Sequence, residues 1–230
     1  MLRRAFTLAL HLSAALIPMA LGWGIRDLSK FFANPVRAAL PLAVFPGALA
    51  LLLLQIDLNP LRTGVTANHA GAPEPSHSRQ RNELLSLMLA SLGLLWFLPH
   101  ADRRHLLIFD SQSLRWLGLA LCSTGGLIRI FALRALGEQF SAYVTLQPGH
   151  RLVRSGIYSF IRHPLYLSLV LAGPGLALIF ASRLAGPIAV LAAVFIGFRI
   201  RAEEALLANT FSAEFLAYRA ATPALLPLLF

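Results

Sequence analysis

The sequence predicts an all-α integral membrane protein: a helical bundle of about six transmembrane spans, five if one apolar block is re-entrant, with a C-terminal amphipathic helix on the cytoplasmic side. Three observations carry this. Hydrophobic residues make up 57% of the chain and charged residues only 13%, about half of the roughly 25% a soluble domain uses to cover its surface. The apolar residues are gathered into blocks that approach the roughly 20 residues a helix needs to cross a bilayer. Six such helices take about 120 residues, so residues 1–230 are expected to form a single membrane domain, with no room for a second large one.

The blocks follow one another with clear boundaries. Met1-Leu2-Arg3-Arg4 opens an apolar stretch to about Gly24; it resembles a secretory signal, but it is long and no small-x-small cleavage site follows, which predicts an uncleaved first span. A second block runs from Arg37 to Ile56. Residues 59–83 have no apolar period and contain Gly71-Ala72-Pro73-Glu74-Pro75-Ser76, so a flexible loop is expected there. Its His69 and His77 have no Cys, Asp or His partner at ligand spacing, and no metal site is predicted. The third block, Leu84 to Pro99, is short; the fourth, Leu114 to Leu133, holds the single cysteine, Cys122, as a small packing residue that can form no intramolecular disulfide. The fifth, Pro164 to Ala181, and the sixth, Leu184 to Phe198, are separated only by Ser182-Arg183, which predicts a tight helical hairpin. Beyond it Ile200, Leu207, Phe211, Phe215 and Tyr218 recur at helical spacing, the stripe of the C-terminal helix.

The formal charge is +10, from 20 basic and 10 acidic residues. The arginines are scattered over the short segments between apolar blocks rather than along one polar face, which argues against a nucleic-acid partner. With the N-terminus inside, twelve basic residues fall on the inner side and seven on the outer, so both termini are expected in the cytoplasm. The arginine bias, with one lysine, fits a genome rich in G and C and hence the inner (plasma) membrane of a prokaryote. Arg129 lies within the fourth block near its inner end, where snorkelling and a functional role are both open.

Polar chemistry concentrates in two places. Gly137 to Tyr166 gathers His150, Arg151, Arg154, Tyr158, Arg162, His163 and Tyr166 beside an apolar span. Pro164 suits the first turn of that span, which puts Arg162 and His163 at a helix N-terminus, a plausible place for a carboxylate or phosphate. The second cluster is Arg199-Ile200-Arg201-Ala202-Glu203-Glu204. Glu204 falls on the apolar stripe, where a carboxylate is costly without a cationic partner. On a purely structural reading both glutamates pair with Arg199, Arg201 or lipid headgroups; on a functional one they bind a cationic or hydrogen-bond-donating ligand group.

Gly156-Ile157-Tyr158, then Arg162-His163-Pro164-Leu165-Tyr166, then after one hairpin Arg199-Ile-x-x-Glu203-Glu204-x-x-Leu207 and Phe211-x-x-x-Phe215-x-x-Tyr218, resemble the isoprenylcysteine carboxyl methyltransferase family and the related phospholipid N-methyltransferases. The likeness runs over a methyltransferase-like region, residues 129–227, with Arg129, Ala132, Leu136-Gly137 and Phe140 ahead of its core. Residues 1–110 carry none beyond being apolar helices, and are expected to be the variable part. The resemblance implies an integral membrane enzyme that methylates a lipophilic acceptor, a carboxylate or an amine, with S-adenosylmethionine at the cytoplasmic face. Carried over by position, His150, Leu152, Gly156, Tyr158, Arg162, His163, Pro164, Tyr166, Glu203 and Glu204 are implied for the cofactor pocket, and Arg199 and Glu203 for positioning the acceptor. Two positions depart: Ile157 replaces the family's proline, and Ser168 stands in place of a glycine that permits close approach to the cofactor. The partners implied are lipophilic or lipid substrates and membrane lipids. Two alternatives use the same scaffold: an NADPH-dependent membrane reductase resembling the sterol reductases, and a non-enzymatic membrane protein.

Overall fold

The computed structural model describes residues 13, 16–41, 77–109, 111–140 and 151–225. They form helices and turns; among the described residues there is no β-strand beyond one isolated bridge between Ile108 and Ser182. Four helices organise them: α1 (His77–Arg103), α2 (Gln112–Leu136), α3 (Pro164–Ile179) and α4 (Ala185–Ala221). Gln80–Arg103, α2 and α4 are long and apolar enough to cross a membrane, and α3 is a shorter apolar helix. The 25 residues of α2 reach about 37 Å at a rise of about 1.5 Å each, more than the roughly 30 Å hydrocarbon layer. Of the first two predicted spans, residues 16–23 and 35–41 are described and helical; the rest of those spans, the loop up to Ser76 with His69, and His150 lie outside the described residues.

One boundary moves. α1 starts at His77, so the last residues assigned to the flexible loop, His77 to Glu83, are its first two turns, and the short third block becomes a helix of 27 residues. Ser, Arg, Gln, Asn and Glu are all tolerated in a helix, and an apolar period marks only the part of it that meets apolar surroundings.

Small residues let α2 and α3 approach closely. A Cβ on Gly118 would lie 2.5 Å from the Ile179 nitrogen and 2.6 Å from the Gly175 oxygen, and one on Gly125 2.8 Å from the Ser168 oxygen. Gly118 and Gly125 stand seven residues apart, on one face of α2, where glycine removes the side chain that would hold the backbones apart. Between them Cys122 donates through Sγ to the Ala172 carbonyl at 3.4 Å, a packing role. Ser168 belongs to this seam: it is buried, and its hydroxyl donates back to the Leu165 carbonyl at 2.6 Å.

The turn Phe180–Leu184 makes the α3–α4 hairpin tight, as the two-residue gap predicted. It is pinned by Ser182 N–H to the Ala177 carbonyl, Arg183 N–H to Leu107 and Phe109 N–H to Ala181. The sixth span and the amphipathic helix prove to be one helix, α4, of 37 residues with non-helical geometry at Ser212. On its second half Glu204, Phe215 and Tyr218 are buried.

Among the described residues a buried apolar cluster sits at the end of the bundle where α1 and α3 finish and α4 begins. It contains Met19, Trp23, Phe31, Val36, Leu40, Leu98, Ile179 and Phe180. Within this end Asp102 is held by two arginines, Arg37 Nη1 at 2.8 Å and Arg115 through Nη1 at 2.7 Å and Nη2 at 2.5 Å. The spare donors go to carbonyls, Arg115 to Ile179 and Arg37 to Phe31 and Lys30. Arg37 also lies over the Trp23 ring, 4.4 Å from its centre. Nearby, Asp27 pairs with Arg103 and Lys30.

Candidate functional site

The opposite end of the bundle collects the motif residues. α2 stops at Gly137, whose φ of 54° suits a residue without a Cβ. The described chain resumes at Arg151, whose N–H donates to Gln139 Oε1 at 3.1 Å. Gly156, with φ of 61°, turns the segment against Ala135 of α2 and starts a short 3-10 turn, Gly156–Ser159. Tyr158 is buried in that turn, and its carbonyl accepts from the Tyr218 hydroxyl at 2.5 Å. Burial above all, then the nearby negative charge of Glu203, pushes the Tyr158 hydroxyl well above its ordinary value. Leu152 is half-buried in the stretch leading to the turn. Arg154 pairs with Glu214 across exposed surface at 3.0 Å.

Arg162 and His163 precede α3, with Pro164 in its first turn as expected. Their backbone N–H groups donate to the carbonyls of Pro223 at 2.9 Å and Ala224 at 3.0 Å. The Arg162 side chain is buried; Nε donates to Glu204 Oε1 at 2.9 Å and Nη1 to the Arg219 carbonyl at 3.0 Å and to the Thr222 carbonyl. The helix entrance read from the sequence as an anion site is therefore filled from within the chain. Glu204 supplies the anion, and the segment after α4, residues 222–224, supplies the acceptors.

Glu204 is the centre of this junction. Oε1 also meets His163 Nε2 at 3.1 Å, and Oε2 lies 3.6 Å from Arg219 Nε. Burial disfavours the charge, but hydrogen bonds from His163 and Arg162 and the Arg162 charge outweigh it and hold the carboxyl at about 2. Glu204 lies beyond Phe198, the last residue of the apolar block, so the ion cluster stands where α4 leaves its apolar part.

Its neighbour Glu203 faces a different set of groups. Glu203 Oε2 is 4.0 Å from His163 Nδ1, and the Tyr166 hydroxyl lies within the electrostatic reach of Glu203 and Arg199. The Tyr166 and His163 rings lie 5.6 Å apart. The Glu203 side chain keeps 36% of its surface exposed against 11% for Glu204. The adjacent carboxylates thus stand in different surroundings: Glu204 is engaged by Arg162 and His163, while Glu203 is more exposed and lies near His163 Nδ1 and Tyr166.

The structure brings Tyr158, Arg162, His163, Pro164, Tyr166, Arg199, Glu203 and Glu204 to this end. Ser168 turns out to be committed to the α2 seam. Arg129, half-buried on α2 about two turns before Leu136, has no ion-pair partner among the described residues. Sequence reasoning missed the carbonyls of Arg219, Thr222, Pro223 and Ala224; every residue carries a carbonyl, so no side-chain pattern announces them.

Comparison with known proteins singles out the same region. Residues 116–209 match the model of the isoprenylcysteine carboxyl methyltransferase family. The protein-S-isoprenylcysteine O-methyltransferase of Saccharomyces cerevisiae is 34% identical over 110 residues, which cover 45% of this chain and 44% of the yeast protein. The protein of the same name from Tribolium castaneum is 30% identical over 114 residues, 47% of this chain and 41% of the beetle protein. The chain spans less than half the length of either relative over these matches. Motif order, the helical hairpin between the motifs and both kinds of match agree, and they place the likeness to the isoprenylcysteine carboxyl methyltransferase family in residues 116–209.

Proposed function

We propose that the protein is a membrane methyltransferase that moves the methyl group of S-adenosylmethionine to a lipophilic, membrane-embedded acceptor. A carboxylate acceptor is favoured, because the relatives are named as O-methyltransferases; an amine is the second reading. The observation that carries the proposal is the division of labour at the family motif, in which Arg162, His163 and Glu204 form a closed junction and leave Glu203, Arg199 and Tyr166 beside it.

These groups fit the cofactor chemically. Its ammonium or ribose hydroxyls suit Glu203, its carboxylate suits Arg199, and its positive sulfonium suits a site with a carboxylate and aromatic rings, Tyr166 and Tyr158. His150, Leu152 and Gly156 belong to the segment proposed to close the pocket. When bound, the cofactor supplies an electrophilic methyl group, so the protein's task is to align the acceptor and keep water out. A carboxylate acceptor needs no general base, which agrees with the lack of a nucleophile–base pair in the motifs; an amine acceptor must lose a proton. The part-buried Arg129 is suited to a carboxylate counter-ion. The site is proposed to face the cytoplasm, following the distribution of basic residues.

Binding to detergent-purified full chain tests the proposal. S-adenosylhomocysteine should bind with a measurable Kd by calorimetry, and NADPH should not. NADPH binding without S-adenosylhomocysteine binding overturns the proposal in favour of a reductase, and binding of neither favours a non-enzymatic role.

A further inference from the structure

A groove of about 1030 Å³ runs along the other face of α4, between α3, α4 and residues 219–225. This is at the upper edge of the roughly 300–1,000 Å³ typical of small-molecule sites. Its walls are mainly apolar and include Val170, Val194, Gly197, Phe198 and Leu225. Val194 and Phe198 also belong to an exposed apolar face of α4 with Val190 and Leu191, so the groove opens on the surface that meets lipid chains.

Charge gathers at one end of it. Arg162, Arg201 and Arg219 line the groove against one carboxylate, Glu204, which is already engaged by Arg162 and His163. Arg201 is exposed and the Arg219 side chain is 57% exposed, so the local excess is positive where the apolar part of α4 gives way to charged residues. A soluble anion makes no use of the apolar walls, and a neutral hydrocarbon makes no use of the arginines. Arg199, Glu203 and Tyr166 are not among the lining residues, and only the Arg162–Glu204 pair is common to the groove and the methyl-transfer site.

We infer that this groove binds an anionic phospholipid, with the headgroup on Arg201 and Arg219 and an acyl chain along Val170, Val194 and Gly197. The inference is independent of the methyl-transfer reading. Each basic residue near an anionic lipid is worth about 1 kcal/mol, or about five-fold, so the two arginines predict a preference of about 25-fold for an anionic over a zwitterionic headgroup.

The test uses the full chain in detergent, with phosphatidylglycerol and phosphatidylcholine of identical chains competing for retention in native mass spectrometry. Wild type should retain phosphatidylglycerol preferentially, and Arg201→Gln should cut that preference about five-fold. Gly197→Leu should lower retention of both lipids. A Cβ at Gly197 meets nothing within 4 Å, and leucine is the better helix former, so this variant fills the groove without a clash. Equal retention of the two lipids by wild type, or unchanged retention in Gly197→Leu, overturns the inference. So does methylation of the retained phosphatidylglycerol on adding S-adenosylmethionine, which makes it the acceptor. Increased lipid retention after deletion of residues 226–230 also overturns it, by making the chain's own apolar terminus the occupant.

Discussion

Asp102 and Glu204 stand at opposite ends of the bundle and are handled in parallel ways. Each carboxylate is gripped by a buried arginine that also reaches the last carbonyls of a helix: Arg115 binds Asp102 and Ile179 at the end of α3, and Arg162 binds Glu204, Arg219 and Thr222 at the end of α4. A cation at a helix C-terminus is favoured by the helix dipole and by unpaired carbonyls, so each arginine joins a helix end to a neighbouring element. The difference lies in what surrounds the pair. Asp102 is packed among apolar residues, with Arg37 closing it from the N-terminal segment. Glu204 is followed by a groove on one side and by Glu203, Arg199 and Tyr166 on the other. The same device is enclosed by packing at one end and, at the other, underlies the site proposed above.

Asp102→Ala is the most severe test of that comparison. It leaves two buried guanidinium groups without their carboxylate, and loss of one partner of a buried pair costs about 3–5 kcal/mol. Thermal unfolding in detergent should show the loss, while S-adenosylhomocysteine affinity of the remaining folded protein should stay at the wild-type value; a specific loss of affinity would break the distinction between the two ends. Glu204→Ala should cost somewhat less, about 2–3 kcal/mol, because Arg219 can turn to solvent. Unlike Asp102→Ala it should also weaken ligand binding, because Arg162 and His163 lose their anchor.

Glu203→Gln sharpens the comparison from the other direction. Its half-exposed side chain predicts a stability change within about 0.5 kcal/mol, yet loss of a charge-assisted hydrogen bond to the ligand should weaken S-adenosylhomocysteine binding about ten-fold. Acidification probes the Glu204 junction without a substitution. The Glu204 carboxyl is depressed from 4.5 to about 2, so its contribution is complete above about pH 4.5 and fades as pH falls toward 2. Wild-type melting temperature should drop across that window, and the drop should be shallower in Glu204→Gln.

The helices were legible because their boundaries carry local signals. Pro164 marks the start of α3, Ser182-Arg183 the hairpin, and the third to sixth apolar blocks coincide with parts of α1, α2, α3 and α4. The start of α1 was hidden because polar residues give no period. At the site, the position of Glu204 on an apolar stripe correctly required a cationic partner, but the residues expected to provide it were Arg199 and Arg201. The partners found, Arg162 and Arg219, lie 42 residues before it and fifteen after it, and pairing across such distances depends on how helices dock rather than on spacing. Asp102 was overlooked for the same reason, since Arg37 is 65 residues away and Arg115, 13 residues away, belongs to a different helix.

The bonds from Arg162 and His163 to Pro223 and Ala224 also fix an order of events during synthesis. Helices α2 and α3 can meet through their glycine seam as soon as both have been made, but the entrance of α3 stays without its acceptors until residues 222–224 have left the ribosome. The end that carries the motifs is thus completed after the α2–α3 seam, so a nascent chain arrested before Ala224 has the seam but lacks the acceptors at the entrance of α3.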